Sequence, residues 1–417
     1  MPDYVDIDDL LEPQLTDYQR QAIAAMEAHP VEISVETVLA GARERTGLSD
    51  FGPDDFRERL KFLIDEWNDD RTMLQINRTI LLAMAQRYAT TRLLARDLLK
   101  RHPEINDEVI DRPIFVAGMP RSGTTHLLNL LGADSRLRSL PLWISSEPLP
   151  NPIEPARPDG VDPRYARCAE AWEQMQRASP RSAAMHTMEP DHYHEDLDLM
   201  CPDFSSYHFE WMSRVPRWRD RHCATDQTPH YQYQKTLLKA LQWGQGPTRW
   251  VNKCPQHLEQ LAVMRKVYPD AIMVVTYRDP VDVIQSAATM MGHAERMRYP
   301  RIDGPGLLEY WSDRADRMLR ACVRDRDVWP ESQRVDVPFA DFMRDEMKVV
   351  HEVQAKAGLP ITAESDAEIR HFVESHPRGK FGQVRYNLER DFGISRAEAR
   401  KRFDYYFEAF PFVKAED

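Results

Sequence analysis

Gly118-Met-Pro-Arg121-Ser122-Gly123-Thr124-Thr125 sets two glycines five positions apart, with an arginine between them and two threonines directly after. Glycines let the backbone turn tightly enough to aim several N–H groups at one point, and that point attracts an anion. Against the nucleotide-binding pattern G-x-x-x-x-G-K-[ST], the glycine spacing and the final hydroxyl are in place. Thr124 stands where a lysine would reach β- and γ-phosphates. The loop is therefore suited to holding a phosphate, with Arg121 as a fixed positive charge at its mouth, and poorly suited to moving one with magnesium. A chemistry that needs no metal can run on an arginine, backbone donors and two hydroxyls.

Three further groups fit the same kind of ligand. Arg278 follows an apolar run at 271–277, and Ser286 comes eight residues later. Asp279 and Pro280 between them predict a helix start, which puts the serine near the second helical turn. An arginine at the carboxyl end of a parallel strand points to the same sheet edge as a strand-loop-helix phosphate site, and the serine can share its anion. Ser375-His-Pro-Arg378-Gly379-Lys380-Phe-Gly382 is a basic loop whose glycines let backbone approach an anion, although a solvated basic turn has the same composition. Lys253 ends a short strand-like run at 249–253 and precedes Cys254-Pro255-Gln256-His257-Leu258, where proline opens a helix.

Taken together, these segments resemble the PAPS-dependent sulfotransferases, PAPS being 3′-phosphoadenosine 5′-phosphosulfate. Pro120-Arg121-Ser122-Gly123-Thr124-Thr125 is similar to that family's 5′-phosphosulfate loop, in the arginine form of the bacterial and Golgi tyrosylprotein branches. Tyr277-Arg278-Asp279-Pro280 leading to Ser286 is similar to its 3′-phosphate site, and Arg378-Gly379-Lys380 to the loop that closes over that phosphate. Tyr386-Asn-Leu-Glu389 and Phe392-Gly393 also resemble the bacterial branch, so the resemblance spans roughly residues 110–410. It implies PAPS as co-substrate, held by Arg121, Ser122, Gly123, Thr124, Thr125, Arg278, Ser286, Arg378, Gly379 and Lys380. It implies sulfuryl transfer to a hydroxyl or amine, with Arg121 and Lys253 at the reacting centre.

In an in-line displacement of that kind, negative charge builds on the bridging oxygen of the leaving bisphosphate, and a cation held against it lowers the barrier. Guanidinium stays protonated, so Arg121 can stabilise that charge but cannot donate a proton. An alcohol acceptor also needs a proton acceptor. Glu147 and His257 are the leading candidates, with His186 behind them and Glu195 also present. Glu147 lies four residues after Trp143, whereas bacterial members place a glutamate directly after the tryptophan. His257 can equally be a core residue held by its neighbours.

The cluster Asp191-His192-Tyr193-His194-Glu195 lacks the spacing that sets two histidines on one helical face, and no cysteine pair supports zinc, so no metal is expected. A net charge of −12 argues against nucleic acid, which demands a broad basic surface. Local cations at 121, 253, 278, 378 and 380 suffice for a nucleotide. No apolar run reaches membrane-spanning length. The acidic start and five scattered cysteines point to a reducing cytoplasm. The Met-, His- and aromatic-rich segment 180–218 either lines the acceptor cavity or packs as a lid, and it suggests a small, partly apolar acceptor. Oligomeric state is not encoded in any pattern here.

The elements that must position these groups are readable from periodicity. Residues 1–110 form a helical region, with an amphipathic run at 72–100. Residues 111–417 form a P-loop-type α/β unit: strands at 113–117, 249–252, 271–277 and 334–338 alternate with helices, the pattern of a three-layer fold with a central parallel sheet flanked by helices. The proline-rich stretch 141–163 is expected to be an irregular loop over the active edge. A P-loop kinase would share this outline but needs Gly-Lys-[Ser/Thr] and magnesium-binding acids. A noncatalytic scaffold would bind the bisphosphate and transfer nothing.

Overall fold

The computed structural model describes residues 4–377 and 379–413. Its strands are β1 (Tyr4–Asp6), β2 (Ile114–Gly118), β3 (Leu137–Arg138), β4 (Arg249–Lys253), β5 (Ile272–Tyr277), β6 (Arg334–Pro338) and β7 (Gln383–Arg385). Five of them make one parallel sheet in the order β3-β4-β2-β5-β6. β2 and β5 are buried throughout, as apolar, largely β-branched central strands should be, whereas edge strand β6 alternates buried and half-exposed residues.

Alternation along the strands builds three layers. Ile114, Val116, Val251, Val274, Val335 and Val337 face one side, where Leu127, Leu128 and Leu131 of the helix Thr124–Gly132 and Val350 and Val353 of the helix Glu346–Ala357 cover them. Phe115, Ala117, Met273 and Val275 face the other side, under the helices Thr228–Gln245, Pro280–Glu295 and Gly304–Asp325.

The chain leaves β2 toward β3 on one side and later crosses from β4 to β5 on the other. That reversal opens a crevice beyond the carboxyl end of β2, the general ligand position in open α/β sheets. Gly118, Lys253 and Tyr277 end their strands at this edge, so Met119, Cys254 and Arg278 begin its loops.

The N-terminal region supplies four helices, α1 (Asp17–Glu27), α2 (Val35–Thr46), α3 (Phe56–Asp69) and α4 (Gln75–Arg101), the first two opened by Thr16 and Ser34 capping boxes. α2, α3 and α4 share a core with Phe204, Phe209, Val215 and Trp218. Arg59 and Arg92 both reach Asp203, at 2.6 and 2.9 Å. β1, unanticipated because its three residues carry no alternation, pairs in parallel with β7. The proline-rich stretch differs from expectation at its start, where Leu142–Ser146 is a short helix.

Candidate active site

Gly118 ends β2 so close to β5 that an added Cβ would run into Thr276 Oγ1. The turn that follows places Arg121 (φ 67°) and Gly123 (φ 85°) in the left-handed region, natural for glycine and costly for arginine. Ser122 is buried and braces the turn. Its hydroxyl donates to the Met119 carbonyl at 2.6 Å and lies 2.7 Å from Thr276 Oγ1. By helix geometry, the first-turn amides at Thr124 and Thr125 have no intrahelical acceptor and aim past the loop.

The second segment meets the first directly. Arg278 Nη1 donates to the Arg121 carbonyl at 2.8 Å, and Arg121 Nε donates to Ser286 Oγ at 3.1 Å. Ser286 in turn donates to the Tyr386 hydroxyl at 2.8 Å. Asp279 caps the helix that carries Ser286 by accepting from Val281 N at 2.9 Å. The Arg278 guanidinium also lies 4.2 Å from the Phe339 ring centroid, which fixes its plane. A cavity of about 390 Å³ opens here, lined among others by Arg121, Gly123, Thr124, Thr125, Arg278, Gly379 and Lys380. Arg378 lies outside the described residues.

The cationic crevice thus lies at the switch point of the parallel sheet, where residues 157 apart in sequence meet. The model of the sulfotransferase family matches residues 113–363. The chain belongs to that family. Its structure is similar to the sulfotransferase STF9 from Mycobacterium avium, at 27% identity over 91% of this chain and 97% of that one, with a TM-score of 0.80. It is likewise similar to STF1 from Mycobacterium tuberculosis H37Rv, at 27% identity over 89% and 99% of the two chains, TM-score 0.77. Comparison with curated protein sequences returns no match.

The remaining candidate residues of this sulfotransferase fall into distinct places. Lys253 is buried at the tip of β4, its Nζ donating to Thr125 Oγ1 at 3.1 Å and to Glu195 Oε1 at 2.5 Å. His257 is fully buried: Nδ1 lies 2.9 Å from the Tyr231 hydroxyl and Nε2 3.1 Å from Asp196, so both ring nitrogens have protein partners. Glu147 ends the short helix and accepts from Arg167 at 3.0 and 2.6 Å, away from the cavity wall. His186 and His192 do line the cavity. Burial and the nearby charge of Lys253 hold both rings below the ordinary histidine range, His192 at about 4 and His186 well below its usual value.

The segment 180–218 divides between cavity wall and core. Ala183, Met185, Thr187 and Glu189 join the two histidines in the cavity wall, whereas Phe204, Tyr207 and Phe209 are core. The stretch 141–163 contributes nothing to that wall. Asp196 and His257 also meet Cys254 in the core, but their bonds to Gln234, Tyr231 and each other make this a polar packing network. Thr276 and Phe339 escaped notice in sequence. Both sit at strand ends, as Arg278 does, and that placement was the available signal.

Proposed function

We propose that this sulfotransferase is PAPS-dependent and transfers the sulfuryl group to a hydroxyl or amine of a small, partly apolar acceptor, in line and without a metal ion. The reading rests on one observation above the others: Arg278 contacts the Arg121 carbonyl while Arg121 contacts Ser286, so both anion motifs lie on one crevice. A carrier with phosphate groups at both ends of an adenosine suits that spacing of cations, and the cavity is of the size that takes nucleotide-like ligands. PAPS would supply an activated sulfuryl group on a good leaving group.

The chain's own residues then divide the work. The glycine loop with Thr124 and Thr125 holds the 5′ end, and Arg121 and Lys253 balance charge developing on the leaving oxygen. Arg278, Ser286, Gly379 and Lys380 take the 3′-phosphate, together with Arg378. Lys380 already has Glu189 as an ion-pair partner at 3.1 Å across the cavity mouth. Ala183 and Met185 give the acceptor side an apolar wall. In this reading residues 111–417 carry the chemistry and the helices of 1–110 share a core with Phe204, Phe209, Val215 and Trp218. No described helix is long and apolar enough to cross a membrane. The five unpaired cysteines suit a reducing cytoplasm.

The deciding experiment incubates the purified protein with sulfur-labelled PAPS and a panel of alcohols, phenols, sterols and amines. Label should pass to at least one acceptor class without added metal and in the presence of EDTA. Binding of adenosine 3′,5′-bisphosphate with no transfer to any acceptor would leave a scaffold instead.

A further inference from the structure

Directly behind the phosphate loop lies an ion pair that the anion motifs do not account for. Lys253 has 1% of its side chain exposed and Glu195 13%, and Nζ and Oε1 are 2.5 Å apart. The same Nζ reaches Thr125, which lines the cavity, so one lysine spans the loop and a carboxylate just behind it.

The turn that carries Glu195 is pinned from several sides. Ser145 Oγ donates to the Glu195 carbonyl at 2.7 Å and lies 3.2 Å from Asp198. Tyr88 of α4 donates to Asp198 at 2.7 Å. His257, four residues past Lys253, faces Asp196 at 3.1 Å and so ties the Glu195 turn to the end of β4. Backbone and neighbours are fixed, while among the described residues the Glu195 carboxylate has a single hydrogen-bond donor, Lys253.

We propose, resting on the sulfotransferase reading above, that Glu195 is the general base of the transfer and that Lys253 restrains it until the sulfuryl donor is bound. An anion entering the glycine loop draws the lysine charge toward itself, and the carboxylate loses its counter-ion. The acceptor O–H proton then passes to Glu195 as the acceptor oxygen bonds to sulfur. The S–O bond to the bisphosphate breaks, and the leaving oxygen keeps the electron pair beside Arg121 and Lys253. Glu195 afterwards returns the proton to water. His257 is on this account a positioning residue.

The surroundings favour this assignment over the other candidates. Burial pushes the Glu195 carboxyl above its ordinary range, the Lys253 charge pulls it back, and Asp196 and Asp198 in its own turn push it up again. Cys254 and Tyr207 also feel its charge. Withdrawing the lysine therefore raises the carboxylate's affinity for a proton, which makes it the stronger base. His186 and His192 would each have to become a cation beside Lys253, with Arg121 adding to the burden on His186. Glu147 is already held by Arg167.

Calorimetry with adenosine 3′,5′-bisphosphate near neutral pH, in two buffers of different ionisation enthalpy, reads the switch without any acceptor. Wild-type protein should take up more protons on binding than Glu195→Gln, and the variant should bind at least as tightly because Lys253 is released. With labelled PAPS and phenols of graded acidity, Glu195→Gln should lose about 100-fold or more on a weakly acidic phenol. Most of that loss should vanish on a nitrophenol already ionised at the assay pH. Glu195→Asp, kept as a second variant should the amide misfold, should retain proton uptake yet lose turnover. Equal proton uptake in wild type and Glu195→Gln, or acceptor-acidity dependence that follows His186→Ala or His192→Ala instead, overturns the base assignment and leaves the sulfotransferase reading intact. Failure of the wild type both to bind the bisphosphate and to transfer label removes that reading itself.

Discussion

Replacing Arg278 by alanine is the sharpest probe of the double-anion crevice. The side chain is 22% exposed, lies over Phe339 at 4.2 Å, and bonds to the Arg121 carbonyl at 2.8 Å and to Asp282 at 3.4 Å. Its guanidinium is therefore oriented before any ligand arrives, and little ordering cost remains to offset the contact it makes. A hydrogen bond to a charged group contributes about 1.5–3 kcal/mol. Two such bonds from a planar fork, each at the low end of that range because the side chain is partly exposed, suggest a net loss of about 3 kcal/mol on truncation. At 1.4 kcal/mol per decade that is about a 100-fold weaker dissociation constant for adenosine 3′,5′-bisphosphate. Ser286→Ala removes one neutral donor and should cost about 1 kcal/mol, or roughly fivefold. Arg278→Lys keeps the charge without the fork and should fall between the two. Isothermal titration at two salt concentrations measures all three. A change under about threefold for Arg278→Ala, in a protein that melts like wild type, would mean the bisphosphate does not use this edge of the sheet.

Other consequences can be checked alongside. Arg121→Ala should lower single-turnover sulfuryl transfer by about 100-fold while bisphosphate affinity falls much less, because the developing charge on the leaving oxygen exceeds that in the ground state. Asp279 is fully buried, caps the helix Pro280–Glu295 and accepts from Arg400 at 2.6 Å. Asp279→Ala should cost about 2 kcal/mol in urea unfolding, since it removes the helix cap and one acceptor of the partly exposed Arg400, and should weaken the bisphosphate through Ser286. His192 and His293 are depressed by burial to about 4 and about 3, so both are neutral in the folded protein across mildly acidic pH. Unfolded histidines bind protons below about pH 6.5, so the unfolded state gains protons first and stability falls as pH drops from there toward those values. His192→Asn with His293→Asn should flatten that slope in thermal melts.

How far the sequence carries depends on the range of the interaction that sets each feature. β2 and β5 are legible because their apolar runs are long enough, and bounded sharply enough, to declare buried parallel strands, whereas β4 and β6 are short mixed runs set off by the proline that follows or ends each. The glycine loop and the Arg278–Ser286 spacing were legible because each is a local pattern whose geometry follows from the strand-to-helix turn it occupies. β3, of two residues, and β1, of three, carry no pattern at all and exist only through partners far along the chain, β4 and β7. The stretch 141–163 reads as an irregular loop over the active edge because proline excludes regular structure. Proline says nothing about which way a loop runs, and the wall of the cavity comes from 183–192 instead.

Acid–base groups illustrate the same limit more severely. Glu147, His186, Glu195 and His257 are interchangeable on residue type alone, since each can accept a proton. What separates them is the partner that each finds across 20 to 61 residues of chain: Arg167 for Glu147, Lys253 for Glu195, Asp196 for His257. A carboxylate held by two bonds from an arginine and an imidazole with both nitrogens engaged are poorly placed to take up a proton. A carboxylate whose one donor among the described residues is a lysine shared with the glycine loop is different, because an anion in the loop competes for the same ammonium group. The chemistry of the base is thus set by a contact between the end of β4 and a turn braced by the N-terminal helices, which is a property of the assembled fold and of no single motif.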